Sequence, residues 1–382
     1  MHILIAPNAF KNSLSAYAAA QAIQKGISLS KLECTTECFP IADGGDGTAS
    51  LIIQQLKGTH VPVEVHDPLR RLIHASFGLI DNDKTAVIEM ADASGLRLLK
   101  HDELDPLSAT SYGTGEMISK ALDAGVNKIL IAMGGSATVD GGTGILAALG
   151  VRFLDAAGRE LTNMPESLTE LEQIDTSNLD KRLPDCEIIV LCDVDNKLLG
   201  PRGAAAVFGP QKGADAIAVK KLEAGLTKFT EITRQQTGKY ISDIKYGGTA
   251  GGASAGVYAY LNAKLVNGID HFMELTEFEK ALDKSAMVIT GEGSIDEQTL
   301  QGKGPFGVAR SAKLKGIPVI GLAGKIPARL NEQLSQYFNV LLAIGNEPSD
   351  MATALKHTEE NLIRVSRETA TLIQYGIGLK KY

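Results

Sequence analysis

Short, almost purely aliphatic runs recur along the chain and stop abruptly at polar, often glycine-rich loops: HILIA at residues 2–6, KILIA at 128–132, EIIVLCD at 187–193, AMVIT at 286–290 and IPVIGLAG at 317–324. Runs of this length without polar alternation suit strands buried on both faces, and such strands belong to parallel sheets covered by helices. Helical patterns follow them. An amphipathic stretch over 16–27, capped by Ser15, comes after the first run, and GILAALGV comes after KILIA and its loop. This βαβ rhythm commits the chain to an α/β fold.

The rhythm breaks once. From Thr59, VPVEV, LIHASFGLI and TAVIEMA alternate apolar with polar positions and turn at DNDK, as a hairpin or meander does. The simplest architecture is a flavodoxin-like parallel-sheet domain built from both chain ends, residues 1–64 plus 266–382. A second α/β domain with a mixed sheet, residues 65–265, is inserted into it. An active-site cleft is expected between the two, because ligands favour such clefts and the carboxyl ends of parallel strands.

Composition narrows the partners. The 382 residues suit two domains, the net charge is −7, Trp is absent, and no Lys/Arg stripe forms. Nucleic acid is therefore an unfavourable partner and small molecules are favoured. No apolar run approaches the roughly eighteen residues of a membrane span, and MHILIAPNAF lacks a basic leader, so a cytoplasmic protein without a membrane partner is expected. Cys34, Cys38, Cys186 and Cys192 lack CxxC spacing and a nearby His, which predicts ordinary thiols rather than a zinc site. No heptad or apolar patch declares an oligomer, and a homo-oligomer is left open.

The loops carry the chemistry. IADGGDGT holds Asp43 and Asp46, MGGSATVDGGTG holds Asp140, CDVDN holds Asp193 and Asp195, and TGEGSIDEQTLQGK holds Glu292, Asp296 and Lys303. Backbone donors at a loop opening a helix favour anions, and acids with lysines suit a metal-bound phosphate. Each has a plainer reading: glycine for tight turns, Asp for Asx turns and caps, lysine for a solvated surface. Gly142, Gly144 and Ala147 match GxGxxA, but the strand stops near Ala132, too early for a dinucleotide fingerprint. GxxxxGK[ST] does not occur. A nicotinamide-dependent oxidoreductase of a small hydroxy acid and a two-domain solute-binding protein remain as other readings of the same layout.

Taken together and in order, APNAFKNSLSA, ADGGDGT, GTGE, GGSATVDGGTG, CDVDN, FGPQKGA and TGEGSIDEQTLQGK resemble the bacterial glycerate kinase type I family. The resemblance implies a two-domain α/β enzyme that phosphorylates glycerate with ATP and Mg²⁺. Departures accompany it. Asn8 and Ala9 stand where the family usually has Asp and Ser, so Asn8 would keep an oxygen ligand but lose the charge. Lys197 stands where proline is usual, and Asp46 where Glu is common.

Loop chemistry distributes roles within that expectation. Asp193 and Lys11 are the catalytic candidates, with Asp193 orienting and deprotonating a glycerate hydroxyl. Gly134, Gly135, Ser136, Gly291, Gly293 and Lys303 are candidates for the nucleotide and its phosphates. Asp296 or Glu292 would hold the metal. Lys11, Arg70 or Lys212 would pair with the glycerate carboxylate, and Asn8 and Asp43 complete the substrate set. The choice between the 2- and 3-hydroxyl is open in the sequence, with the resemblance to sugar-acid catabolic enzymes favouring the 2-position. A kinase for another three-carbon hydroxy acid is a further alternative.

Overall fold

A computed structural model describes residues 1–379 apart from Gln298 and Leu330. The chain falls into two compact units, residues 1–43 with 269 onward, and residues 44–268.

The first unit is built on a five-stranded parallel sheet of β1 (His2–Ile5), β2 (Thr35–Cys38), β11 (Met287–Ser294), β12 (Val319–Lys325) and β13 (Val340–Ala343). Their order is β13-β12-β11-β1-β2, which is the flavodoxin order 2-1-3-4-5 when strands are numbered within the unit. The order reverses between β1 and β11, which pair through Ile3, Leu4 and Ile5. Loops leaving neighbouring strands diverge at such a point and open a crevice at the carboxyl edge. Ile3, Ile5, Ile23, Ile289, Leu322 and Leu362 form its core, as expected of strands covered on both faces. The first helix, Ala16–Ser28, starts where its pattern begins, with Ser15 Oγ accepting the Ala18 N–H at 3.2 Å.

The second unit carries a six-stranded mixed sheet of β3 (Thr59–His66), β4 (Leu72–Ile80), β5 (Thr85–Glu89), β6 (Lys128–Ala132), β9 (Glu187–Cys192) and β10 (Lys264–Asn267). A separate two-stranded ribbon pairs β7 (Arg152–Leu154) with β8 (Gln173–Asp175). The order β10-β9-β6-β5-β4-β3 runs straight through the chain, so this sheet has no reversal point. β4 is antiparallel to both neighbours, the meander seen in the sequence, while β5, β6, β9 and β10 are parallel.

The first seam lies at Asp43/Gly44, 21 residues before the sequence boundary after Glu64. β3 pairs with β4 from Thr59 to His66, and the helix Thr48–Gln55 packs Ile53 onto Gly78 of β4. Pairing, rather than the change in sequence texture, sets the boundary. The second seam is at Gly268/Ile269. Among the described residues no helix is long and apolar enough to cross a membrane. The cysteines are unpaired thiols, with Cys186 and Cys192 buried.

Candidate active site

In the first unit, candidate residues gather where the strand order reverses. The loop after β1 supplies Asn8 and Lys11, the segment after β2 supplies Asp43, and the end of β11 with its following turn supplies Gly291, Glu292, Gly293, Asp296 and Lys303. The Asn8 N–H donates to the Gly291 carbonyl at 2.8 Å, joining the first and third of these segments. Asp43 Oδ2 accepts from Asn8 Nδ2 at 2.9 Å and from the Gly304 N–H at 3.2 Å. The second donor opens the helix Gly304–Leu314, whose amino end favours a carboxylate.

Glu292 is the electrostatic centre of this group. Burial, and then the charge of Asp43, push its carboxyl up to about 7, against the pull of Lys303, a Thr299 hydrogen bond and Lys11. Thr299 Oγ1 donates to Glu292 at 3.1 Å and accepts the Asp296 N–H at 3.1 Å, so both metal candidates belong to one turn. Asp296 Oδ2 also accepts from Ser294 Oγ at 3.2 Å. Among the described residues no group of three or more His, Cys, Asp or Glu forms a metal cage. The donors fit a magnesium ion that arrives with its own phosphate oxygens and needs one or two carboxylates from the protein.

In the second unit, the loops after β6 and β9 pack with the segments 208–214 and 247–252. Lys212 is buried, with Nζ donating to Ser136 Oγ at 2.8 Å and to the Thr138 carbonyl at 2.7 Å. Burial pulls its amine down to about 7, while Asp140 and Asp193 favour the charged form. Asp193, the first residue after β9, thus lies in the field of this lysine. Thr249 Oγ1 donates to the Val194 carbonyl at 3.2 Å, and the Gly141 N–H to the Gly251 carbonyl at 3.1 Å, locking the three loops together.

Two expectations for the MGGSATVDGGTG loop are corrected. The helix it opens, Thr143–Ala148, offers no vacant anion site, because Asp140 already occupies it. That carboxylate accepts from Ser111 N–H (2.8 Å), Ser111 Oγ (2.7 Å), Gly142 N–H (3.0 Å) and Gly144 N–H (3.2 Å). Gly134 has a packing reason for being glycine. Its N–H donates to the Gly44 carbonyl at 2.9 Å, and a Cβ there would lie 2.4 Å from Gly45 Cα. Gly135 takes positive φ, +75°, and its carbonyl accepts the Leu96 N–H.

Arg70 is not drawn into the Lys212 group. It lies exposed in the turn between β3 and β4, with Nη2 on the Thr162 carbonyl at 2.9 Å. The Pro68 carbonyl in this turn accepts the Thr110 N–H at 2.9 Å, one residue before Ser111 of the Asp140 network.

The sequence reading missed Glu89, the last residue of β5. This buried carboxylate accepts the N–H groups of Gly47 and of Ala49 (3.0 Å) and fixes the ADGGDGT turn. Burial, followed by its hydrogen bond with Asp46, holds the carboxyl well above the usual range. Arg97 in turn bonds Asp46 at 2.8 Å and Asp92. The signal was an acid ending an aliphatic strand, as with Asp193, but MADASG after it lacks the glycine pairs of ADGGDGT and MGGSATVDGGTG.

Two α/β units whose acids, lysines and hydroxyls cluster at the carboxyl edges of parallel strands define an enzyme acting on small molecules. Residues 3–374 match the model of the glycerate kinase family. The chain is 42% identical to a glycerate kinase of Bacillus subtilis (strain 168) over 98% of each protein, and 40% identical to a glycerate 2-kinase of Escherichia coli (strain K12) over 99% of each. A solved structure from Salmonella typhimurium LT2, named as a glycerate kinase 2, superposes with a TM-score of 0.83 at 41% identity over 99% of both chains. The chain belongs to the glycerate kinase family.

Proposed function

We propose that the protein transfers the terminal phosphoryl group of ATP, taken up as its magnesium complex, to the 2-hydroxyl of D-glycerate. The observation that carries the reading is the Asp43, Glu292, Lys11 and Lys303 group at the reversal point of the first sheet. Its mixed charge suits a metal-bound polyphosphate. Magnesium, when bound, neutralises charge on the phosphate oxygens. Lys11 and Lys303 meet the charge that develops on the transferring group, and Glu292 with Asp296 receives the cation.

In this reading Asp193 is the base. The glycerate O–H gives its proton to the Asp193 carboxylate, the freed oxygen bonds to the γ-phosphorus, and the bond from that phosphorus to the β–γ bridging oxygen breaks, releasing ADP. Asp193 lies within the electrostatic reach of Lys212, whose charged form it and Asp140 favour. With its amine buried against Ser136 and Thr138, Lys212 acts on Asp193 rather than on the glycerate carboxylate. Lys11 and Arg70 remain the candidates for that carboxylate.

The 2-position is supported by the Escherichia coli relative, a glycerate 2-kinase, and the use of ATP supports a cytoplasmic location. The test is phosphorus NMR of the products formed from Mg·ATP and D-glycerate. The expected result is ADP with 2-phosphoglycerate. A 3-phosphoglycerate resonance overturns the regiochemistry, and no glycerate-dependent ADP overturns the reading itself.

A further inference from the structure

Asn8 is fixed at both ends of its amide. Oδ1 accepts the N–H of Ala9 at 2.8 Å, and Nδ2 donates to Asp43 Oδ2 at 2.9 Å. A flipped amide would set oxygen against a carboxylate oxygen and NH₂ against N–H, replacing two attractive contacts by two repulsive ones. The neighbours therefore determine which way the group points. It is 9% exposed, so water does not supply alternative partners freely. The oxygen expected from the sequence to remain available as a ligand is engaged with the backbone of the next residue. What Asn8 presents to Asp43 is a donor.

A carboxylate at this position would behave differently. Two carboxylate oxygens about 3 Å apart in a buried site either share a proton, leaving one negative charge between them, or stay ionised together only with a cation between them. Asp43 already acts on Glu292, so a further negative charge would deepen the demand for a positive partner. The amide removes that demand and leaves Asp43 held from two sides, by Asn8 and by the helix amino end at Gly304.

We propose that Asn8 is a positioning residue whose amide takes the place of a cation beside Asp43, so that this half-site has little divalent-metal affinity of its own and accepts magnesium with the nucleotide. The metal-affinity part concerns the nucleotide-free protein, and only the kinetic consequence rests on the kinase reading.

The test is a manganese titration of the nucleotide-free protein, followed by the paramagnetic resonance of the unbound ion, for the wild type, Asn8→Asp and Asn8→Ala. Asn8→Asp adds a ligand charge next to Asp43 and is expected to bind Mn²⁺ about tenfold or more tightly than the wild type. Asn8→Ala removes the competing donor without adding charge and is expected to bind about threefold more tightly. Its smaller perturbation also keeps the proposal testable should Asn8→Asp not fold. Affinities within a factor of about two across the folded variants overturn the proposal.

With Mg·ATP and D-glycerate, Asn8→Asp should also lower the Mg²⁺ concentration for half-maximal rate by a larger factor than it changes the KM for glycerate, a split that loss of packing alone does not produce. An unchanged Mg²⁺ requirement beside normal turnover contradicts the positioning role. If no variant shows glycerate-dependent turnover yet the Mn²⁺ order holds, the kinase reading fails and the account of the Asn8–Asp43 pair stands.

Discussion

The carboxyl edges of the two sheets are built on different plans. In the first unit the strand order reverses, and the segments after β1, β2 and β11 gather Asn8, Asp43 and Glu292 at that point. In the second unit the order is unbroken, and the loops after β6 and β9 fill the edge by packing on one another. In the first, Asp43 accepts from Asn8 and from the Gly304 N–H, Glu292 accepts from Thr299, and charge acts among these groups. In the second, Asp140 spends its carboxylate on four donors and Lys212 is buried against Ser136 and Thr138. The reversal point gathers charged side chains from three segments, whereas the unbroken edge builds a floor from its own packed loops.

The largest effect that probes this contrast comes from a residue standing on that floor. Asp193→Asn is expected to lower turnover at least about a hundredfold, with the unfolding midpoint little changed. Steady-state rates beside a thermal melt check it, and turnover near the wild-type value would take the base role away from Asp193.

Gly134→Ala addresses the floor itself. Its Cβ would lie 2.4 Å from Gly45 Cα and 2.9 Å from the Gly44 oxygen, so backbone must move. A loss of about 1–3 kcal/mol is expected from urea denaturation. A wild-type denaturation curve would mean that Gly134 is glycine for a ligand and not for packing.

The buried charges should give opposite pH slopes. Glu292 has a folded value of about 7 against 4.5 for the ordinary group, so the native state holds the extra proton between these values. Its contribution to stability is present below about 4.5 and is lost as pH rises through about 7. Lys212 has a folded value of about 7 against 10.5, so the unfolded chain holds more protons in that window and stability rises with pH across it. Denaturation across pH should show Glu292→Gln removing the fall and Lys212→Met removing the rise. Unchanged slopes in both would contradict the burial assigned to these groups.

The smallest effect is expected at Gly293. Its Cβ would meet only the Lys11 nitrogen at 3.7 Å, an ordinary contact. Gly293→Ala should therefore stay within about 0.5 kcal/mol of the wild type. A loss as large as that at Gly134 would erase the distinction between the two edges.

The same contrast explains what the sequence made legible. Strands buried on both faces must be continuously aliphatic, which is why HILIA, KILIA and EIIVLC read correctly, and the alternation of β3 and β4 marked the antiparallel part, whereas β5 is buried throughout and pairs in parallel with β6. The seam at Asp43/Gly44 was not legible, because nothing local in ADGGDGT reveals that the next helix packs on β4. Glycine for close approach and glycine for a phosphate are the same letter, and so Gly134 looked like part of a cradle. Asp140 was one loop acid among several until its four donors were in view. Lys212 lies in a polar loop whose burial depends on residues some 75 positions away, Ser136 and Thr138. Glu89 was passed over because its donors come from Gly47 and Ala49, about 40 positions earlier.

The central proposal is that Lys303 and Asp193 each act in phosphoryl transfer to glycerate. Glycerate-dependent ADP formation should be measured in two folded variants, Lys303→Met in the first unit and Asp193→Asn in the second. The account predicts that each loses at least about tenfold in rate, since each removes a group acting on the transition state. Wild-type turnover in either variant would show that its residue takes no part and would contradict the proposal.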